Sequence, residues 1–68
     1  MINHRQRIGQ RIRELRGALS LTQQELAERT GIQRCHIARI EAGRYSVGLD
    51  TLEKIAVALG REVDFVSP

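Results

Sequence analysis

Long hydrogen-bond donors recur along one predicted helix near the middle of the chain. Ile37 and Ile40 give this helix an inward stripe at a spacing of three residues. The outward side carries Arg34, Cys35, Ala38 and Arg39, with Gln33 near the N-terminal end of the helix and His36 on one flank. In the major groove of DNA, arginine pairs with guanine O6 and N7, and glutamine with adenine N6 and N7. The face therefore favours contact with DNA bases, and an ordinary solvated helix face is the alternative.

A second short helix is predicted immediately before this one. Thr22 and Glu25 have the three-residue spacing of a capping box, and Leu21 and Leu26 fit the hydrophobic staple around it. Gly31 then supplies a residue that tolerates positive φ, which a sharp turn between two helices requires. Two helices joined in this way are typical of DNA-binding proteins, so the frame favours base contact over the solvated face.

Many residues of these two helices also match a known pattern. The matching positions are Thr22, Gln23, Glu25, Leu26, Ala27, Gly31, Ile32, Ile37, Ile40, Glu41 and Gly43. With them the chain resembles the Cro/phage-repressor-like helix-turn-helix proteins, also called the XRE family. Residues 49–52 and 55–60 are similar to the family's fourth helix, so the resemblance covers roughly residues 8–60.

The resemblance implies roles for individual residues. Gln33, Arg34, Cys35 and Arg39 occupy the positions that face base edges. Gln23 occupies the position that touches a phosphate and braces the recognition helix, and the loop with Arg44 and Tyr45 follows the DNA backbone. The expected phosphate-contacting set is Gln23, His36, Arg44 and Tyr45. The recognition helix departs from the Gln- and Ser-rich helices common in the family, so the resemblance carries no base preference.

Other arginines allow two interpretations each. Arg16 and Glu41 match family positions that pair in related repressors, and such a pair would fix how the first helix lies across the recognition helix. A plain surface arginine is the alternative for Arg16. Four arginines of the first helix either contact phosphates or belong to a solvated face: Arg5, Arg7, Arg11 and Arg13.

The fold class predicted from the whole chain is all-α, a compact lambda-repressor-like bundle of about four helices. Helices are expected at about residues 4–18, 22–29, 33–42 and 50–59. Asp50 and Glu53 suggest a second capping box at the start of the last helix. Thirteen apolar residues are expected inside: Ile8, Ile12, Leu15, Leu19, Leu21, Leu26, Ile32, Ile37, Ile40, Leu49, Leu52, Ile55 and Leu59.

The pattern changes after residue 60. Polar and apolar residues alternate from Glu62 to Phe65, which predicts a short β-strand with Val63 and Phe65 on one face. Because an isolated strand leaves its backbone groups unpaired, we expect it to pair across a homodimer. A disordered tail, or a strand folded back on its own domain, is the alternative. The domains are then a helix-turn-helix DNA-binding domain at 1–60 and a dimerisation element at 61–68.

Charge is unevenly distributed along the 68 residues. The net charge is +3, but nine arginines against four glutamates give +5 through residue 48, and the remainder carries −2. The positive half contains the predicted recognition helix, which suits double-stranded DNA as the partner. RNA is a weaker candidate because the chain has one tyrosine, one phenylalanine and no tryptophan for base stacking.

Other classes of function are disfavoured. Cys35 and His36 are adjacent, but no third group nearby would orient the imidazole, so we expect no enzyme and no catalytic residue. One cysteine and two histidines give no metal ligand set, and we expect no cofactor. The chain has no long apolar run and no signal-peptide pattern, which predicts a cytoplasmic protein without a membrane partner.

Two functions remain from the sequence. The first is a sequence-specific transcriptional regulator, a repressor that binds a pseudo-palindromic operator as a homodimer. The second is an antitoxin, which would neutralise a toxin protein partner and regulate its own operon through the same domain.

Overall fold

Four helices follow one another in the computed structural model, which describes residues 3–68. They are α1 (His4–Ala18), α2 (Gln23–Thr30), α3 (Arg34–Glu41) and α4 (Leu49–Ala58). The predicted all-helical bundle is confirmed, and each predicted helix agrees with the observed bounds to within one residue at either end. Within residues 3–68, no helix is both long and apolar enough to cross a membrane.

The sequence signals at the two ends of α2 have the structure that was predicted from them. Thr22 Oγ1 accepts from the backbone N–H of Glu25 at 3.0 Å, and Glu25 Oε1 accepts from the N–H of Thr22 at 2.9 Å. Gly31 ends α2 with a φ of +74°, a left-handed conformation that favours glycine. Only residues 31–33 separate the two helices, so α3 begins almost at once and lies across α2.

One continuous core joins the four helices. Its largest fully buried side chains are Leu26, Ile37, Ile40 and Ile55. Ile12, Leu21 and Leu59 complete the buried apolar cluster together with two alanines, Ala27 and Ala56. Four other expected core residues pack partly buried at its edge: Ile8, Leu15, Ile32 and Leu52.

Two expected core leucines lie at the surface instead. Leu19 caps the C-terminus of α1 and is 50% exposed, and Leu49 is the first residue of α4 and is 67% exposed. Both stand at a helix end, where the helical spacing that placed them inside no longer fixes the direction of the side chain.

The second predicted capping box is wrong. α4 starts two residues earlier than that motif needs, because the carbonyl of Gly48 already accepts from the N–H of Leu52 at 2.9 Å. Gly48 is therefore the N-cap, and Asp50 lies inside the first turn, where its carboxylate still interacts favourably with the helix dipole.

The predicted C-terminal strand is also wrong. Residues 61–68 are exposed and form no strand, and the regular elements between residues 3 and 60 are the four helices. Alternation along a segment sets which side chains share a face, but a strand needs a neighbouring strand to bind its backbone groups. No such neighbour exists between residues 3 and 60. The division of the chain at residue 60 stays a prediction.

α1 crosses α3 at a glycine. A Cβ atom built on Gly9 would lie 2.7 Å from the backbone oxygen of Glu41 and closer still to that of Ile40, so only glycine allows the two helices to approach this far. Gly17, on the same helix, has nothing within 4 Å of the corresponding position.

We predict that Gly9→Ala destabilises the fold by about 2–4 kcal/mol, because the added methyl group must push α1 away from α3. Gly17→Ala is the matched control and should stabilise the fold by about 0.5–1 kcal/mol, since alanine is the better helix former. Urea unfolding followed by circular dichroism measures both. Equal effects of the two substitutions would contradict the close crossing at Gly9.

Candidate nucleic-acid interface

The outward face of α3 is built by the burial of its opposite face. Ile37, Ile40 and Glu41 turn into the core, and each is at least 97% buried. Helical geometry then directs the remaining positions outward. The four predicted base-contacting residues, Gln33, Arg34, Cys35 and Arg39, are all exposed on α3 or at its N-cap.

The N-terminal end of α3 carries no side-chain cap. Gln33 occupies the N-cap position, but its side chain makes no capping hydrogen bond. Instead, the thiol of Cys35 lies 3.7 Å from Gln33 Oε1, at the long end of a sulfur hydrogen bond. The exposed side chain of Gln33 therefore lies at the N-terminal end of α3, next to the exposed Arg34 in sequence.

His36 and Tyr45 form an aromatic pair on the flank of α3. Their ring centroids are 4.4 Å apart with an interplanar angle of 69°, an edge-to-face arrangement. The pair ties the loop that follows α3 to the first half of that helix. Through this contact Tyr45 lies against the flank of α3, and the exposed Arg44 precedes it in the chain.

Glu41 lies at the centre of a polar network beneath this face. Arg16 Nε donates to Glu41 Oε2 at 2.8 Å and its Nη2 donates to Oε1 at 3.0 Å, so the ion pair is bidentate. The side chain of Glu41 is fully buried, and that of Arg16 is 17% exposed. Arg16 Nη1 also donates to the carbonyl of Leu21 at 2.8 Å.

Gln23 joins the network from α2. Its Nε2 donates to Glu41 Oε1 at 3.1 Å, which connects the first turn of α2 to the last turn of α3. Arg13 approaches the same oxygen, with its Nε 3.7 Å away. Three helices therefore meet at one carboxylate.

The network sets the protonation of its members. Burial by itself raises the pKa of Glu41, but hydrogen bonds from Arg16 and Gln23 and the charges of Arg16 and Arg13 outweigh it, so the pKa lies below its ordinary value. The hydrogen bond to Glu41 raises the pKa of Arg16 further above its already high value. Glu41 and Arg16 are therefore both charged at neutral pH.

Sequence reasoning missed the contribution of Arg13 and the importance of Gly9. Gly9, Ile12 and Arg16 recur at spacings of three and four, which puts them on one face of α1. Arg13 lies three residues before Arg16, so helical geometry also brings it close to whatever Arg16 binds. The sequence shows this periodicity, but it does not show that Glu41 of α3 is the residue that faces Arg13 and Arg16. The predicted dimer residues Val63 and Phe65 belong to the exposed tail beyond α4.

Comparison with known proteins agrees with this geometry. The helix-turn-helix family profile matches residues 12–66. The chain belongs to this family of DNA-binding transcription regulators, and the resemblance to Cro/phage-repressor-like proteins is confirmed.

Three relatives illustrate the range of the family. A transcriptional regulator of the helix-turn-helix type from Methanothermobacter thermautotrophicus is 57% identical over 51 residues, which cover 75% of this chain and 74% of that protein. The immunity repressor protein of Bacillus phage phi105 is 44% identical over 87% of this chain, but the match spans only 41% of the repressor. The crystal structure of the restriction-modification controller protein C.AhdI from Aeromonas hydrophila superimposes with a TM-score of 0.85 at 38% identity, covering 90% of this chain and 92% of C.AhdI.

We predict that Glu41→Gln lowers the free energy of unfolding at pH 7 by about 2–4 kcal/mol, because Arg16 keeps its charge in a mostly buried position without a counter-charge. The depressed pKa of Glu41 stabilises the folded state fully above the unfolded-state value near 4.5, and this contribution is lost as the pH falls through the folded-state pKa. The stability difference between wild type and Glu41→Gln should therefore shrink below about pH 4.5.

Unfolding curves in urea between pH 7 and pH 3 measure this difference. Glu14→Gln is the control, since Glu14 is an exposed partner of Arg11 at 3.5 Å and its loss should change stability little at any pH. A gap that stays constant throughout the range would show that the charge of Glu41 does not stabilise the fold.

Proposed function

We propose that this chain is a sequence-specific regulator that binds double-stranded DNA by inserting α3 into the major groove. The observation that carries the proposal is the division of α3 into two sides. Its inner side is locked by buried isoleucines and the Glu41 network, while Gln33, Arg34 and Arg39 stand exposed on the other. A rigid helix that presents long donors near its N-terminal half suits direct readout of base edges.

The contacts divide into two groups by chemistry. Gln33, Arg34, Cys35 and Arg39 face base edges, with the small thiol suited to an apolar contact with a thymine methyl group. The phosphate contacts are assigned to His36 on the flank of α3 and to three residues outside that helix: Gln23, Arg44 and Tyr45. These position the helix, because contacts to the DNA backbone carry no sequence information of their own.

Repression is the favoured mode of regulation. A small domain that occupies an operator blocks access to the DNA beneath it, and the similarity to a phage immunity repressor supports this choice. The antitoxin alternative and its toxin partner have no support in the names of the relatives described above. The expected cytoplasmic location stays a prediction.

Selecting sites from a random DNA pool tests the proposal and supplies the operator. On that operator we predict that Arg34→Ala costs about 1–3 kcal/mol of binding and relaxes preference at one base position. Arg44→Ala should weaken operator and scrambled DNA alike, because it removes a backbone contact. Fluorescence anisotropy titrations on both duplexes measure the two effects. Equal losses on the two duplexes for Arg34→Ala and Arg39→Ala would contradict the assignment of base contacts.

We further propose that the protein acts as a homodimer joined beside α4. One groove there is lined by four apolar residues, Leu49, Ala56, Val57 and Val63, and by the charged Glu53, Arg61 and Glu62. Leu49 and Val57 are each 67% exposed. Phe65 and Val66 follow on the exposed tail. A second copy would cover this apolar surface, and a two-fold dimer suits a pseudo-palindrome with half-sites about 34–36 Å apart. Val63 and Phe65 then contribute through side-chain packing.

We predict that Val57→Lys yields a folded monomer that binds the operator more weakly, since a charge in place of an exposed apolar side chain of the groove opposes burial. Sedimentation velocity measures the mass, and circular dichroism checks the fold. Leu19→Lys is the matched control, because it changes an exposed leucine at the end of α1 in the same way. A dimer that survives Val57→Lys would place the interface elsewhere.

A further inference from the structure

The cluster around Glu41 holds more positive charge than its one carboxylate neutralises. Arg16 takes both close contacts to the carboxylate and is largely buried. Arg13 stands at the edge, with its Nε 3.7 Å from Glu41 Oε1 and its side chain 53% exposed. Two arginines therefore share one glutamate, and the guanidinium of Arg13 faces solvent with most of its charge uncompensated.

Arg13 and Gln23 converge on the same atom. Gln23 Nε2 donates to Glu41 Oε1 at 3.1 Å, and the contact of Arg13 ends on that oxygen as well. An amide nitrogen has two hydrogens and a guanidinium has five, so both groups keep donors after binding Glu41. These remaining donors lie side by side where α1 meets the start of α2.

Two backbone N–H groups at the start of α2 are already bound. The N–H of Glu25 donates to Thr22 Oγ1, and the N–H of Thr22 donates to Glu25 Oε1. The other N–H groups of the first turn of α2 have no acceptor within the helix. An anion bound here would meet them together with the side chains of Arg13 and Gln23.

We propose that Arg13 and Gln23 together clamp one phosphate of the DNA backbone. The inference rests on the proposed DNA binding and adds Arg13, which that proposal leaves without a role. A guanidinium fork matches two phosphate oxygens, and Gln23 adds a donor held in place by Glu41. Arg13 gives up only a loose contact when it turns to a phosphate, because Glu41 retains its hydrogen bonds from Arg16 and Gln23.

Salt-dependent binding of the full chain tests the clamp. Arg13→Ala should weaken binding roughly three- to tenfold on operator and scrambled DNA alike. It should also reduce the slope of log K against log salt by about 0.9, which is the value for one phosphate contact. Arg11→Ala is the matched control: Arg11 is two residues away on α1, 59% exposed and paired with Glu14, and its slope should equal that of the wild type.

Neutral methylphosphonate groups placed one at a time along the operator identify the phosphate. One position should weaken the wild type by more than it weakens Arg13→Ala or Gln23→Ala, because each variant has already lost one of the two contacts to that phosphate. Three results would each overturn the clamp. They are an unchanged salt slope for Arg13→Ala, a loss of affinity for Arg11→Ala equal to that for Arg13→Ala, and sensitivity of the Arg13 and Gln23 variants to two different phosphates. If any of these results came with a base-specific loss of affinity for Arg34→Ala, the proposed function would stand without the clamp. Failure to select any DNA site would overturn the proposed function itself.

Discussion

The buried carboxylate of Glu41 is the interaction on which the arrangement of the helices depends. It belongs to the last residue of α3, and it binds Arg16 of α1 and Gln23 of α2 through three hydrogen bonds of 2.8–3.1 Å. Burying this charge costs several kcal/mol, and the bidentate pair offsets much of that cost only when its geometry is nearly ideal. The net contribution to stability is therefore small, but the network tolerates only one relative orientation of three helices. Its main effect is to fix the angle at which α3 presents its exposed face.

Such a network forms only because α1 and α3 approach closely. Gly9 lets the backbone of α1 lie directly against the carbonyl groups of Ile40 and Glu41. Arg16 follows seven residues later on the same face, at a height where its guanidinium reaches the carboxylate with little solvent between them. A side chain at position 9 would separate the helices and admit water to the ion pair. Water raises the local dielectric constant and weakens the attraction between the charges. The glycine and the ion pair are thus two parts of one helix crossing.

The sequence predicts those parts of the structure that depend only on residues close together in the chain. Thr22 with Glu25 and the left-handed Gly31 need only a few residues of context, and the structure has both as predicted. The predicted cap at Asp50 is wrong because Gly48, two residues earlier, is the N-cap of α4, and the motif alone does not reveal this competition. The strand at 61–68 failed because alternation contains no information about a partner strand. Arg13 was overlooked for a related reason, since its proximity to Glu41 depends on how two helices cross.

The distribution of charge separates two surfaces on one small domain. The segment through residue 48 carries +5, and it contains α3 together with the candidate phosphate contacts on α1 and α2. α4 and the tail carry −2, and beside them lies the exposed apolar groove with Leu49 and Val57. A polyanion is attracted to the first surface and repelled from the second. Because each surface suits a different kind of partner, the proposed second copy on the α4 side would leave α3 accessible. A domain with a core this small would then gain buried apolar area by association without covering the side chains that are proposed to face DNA.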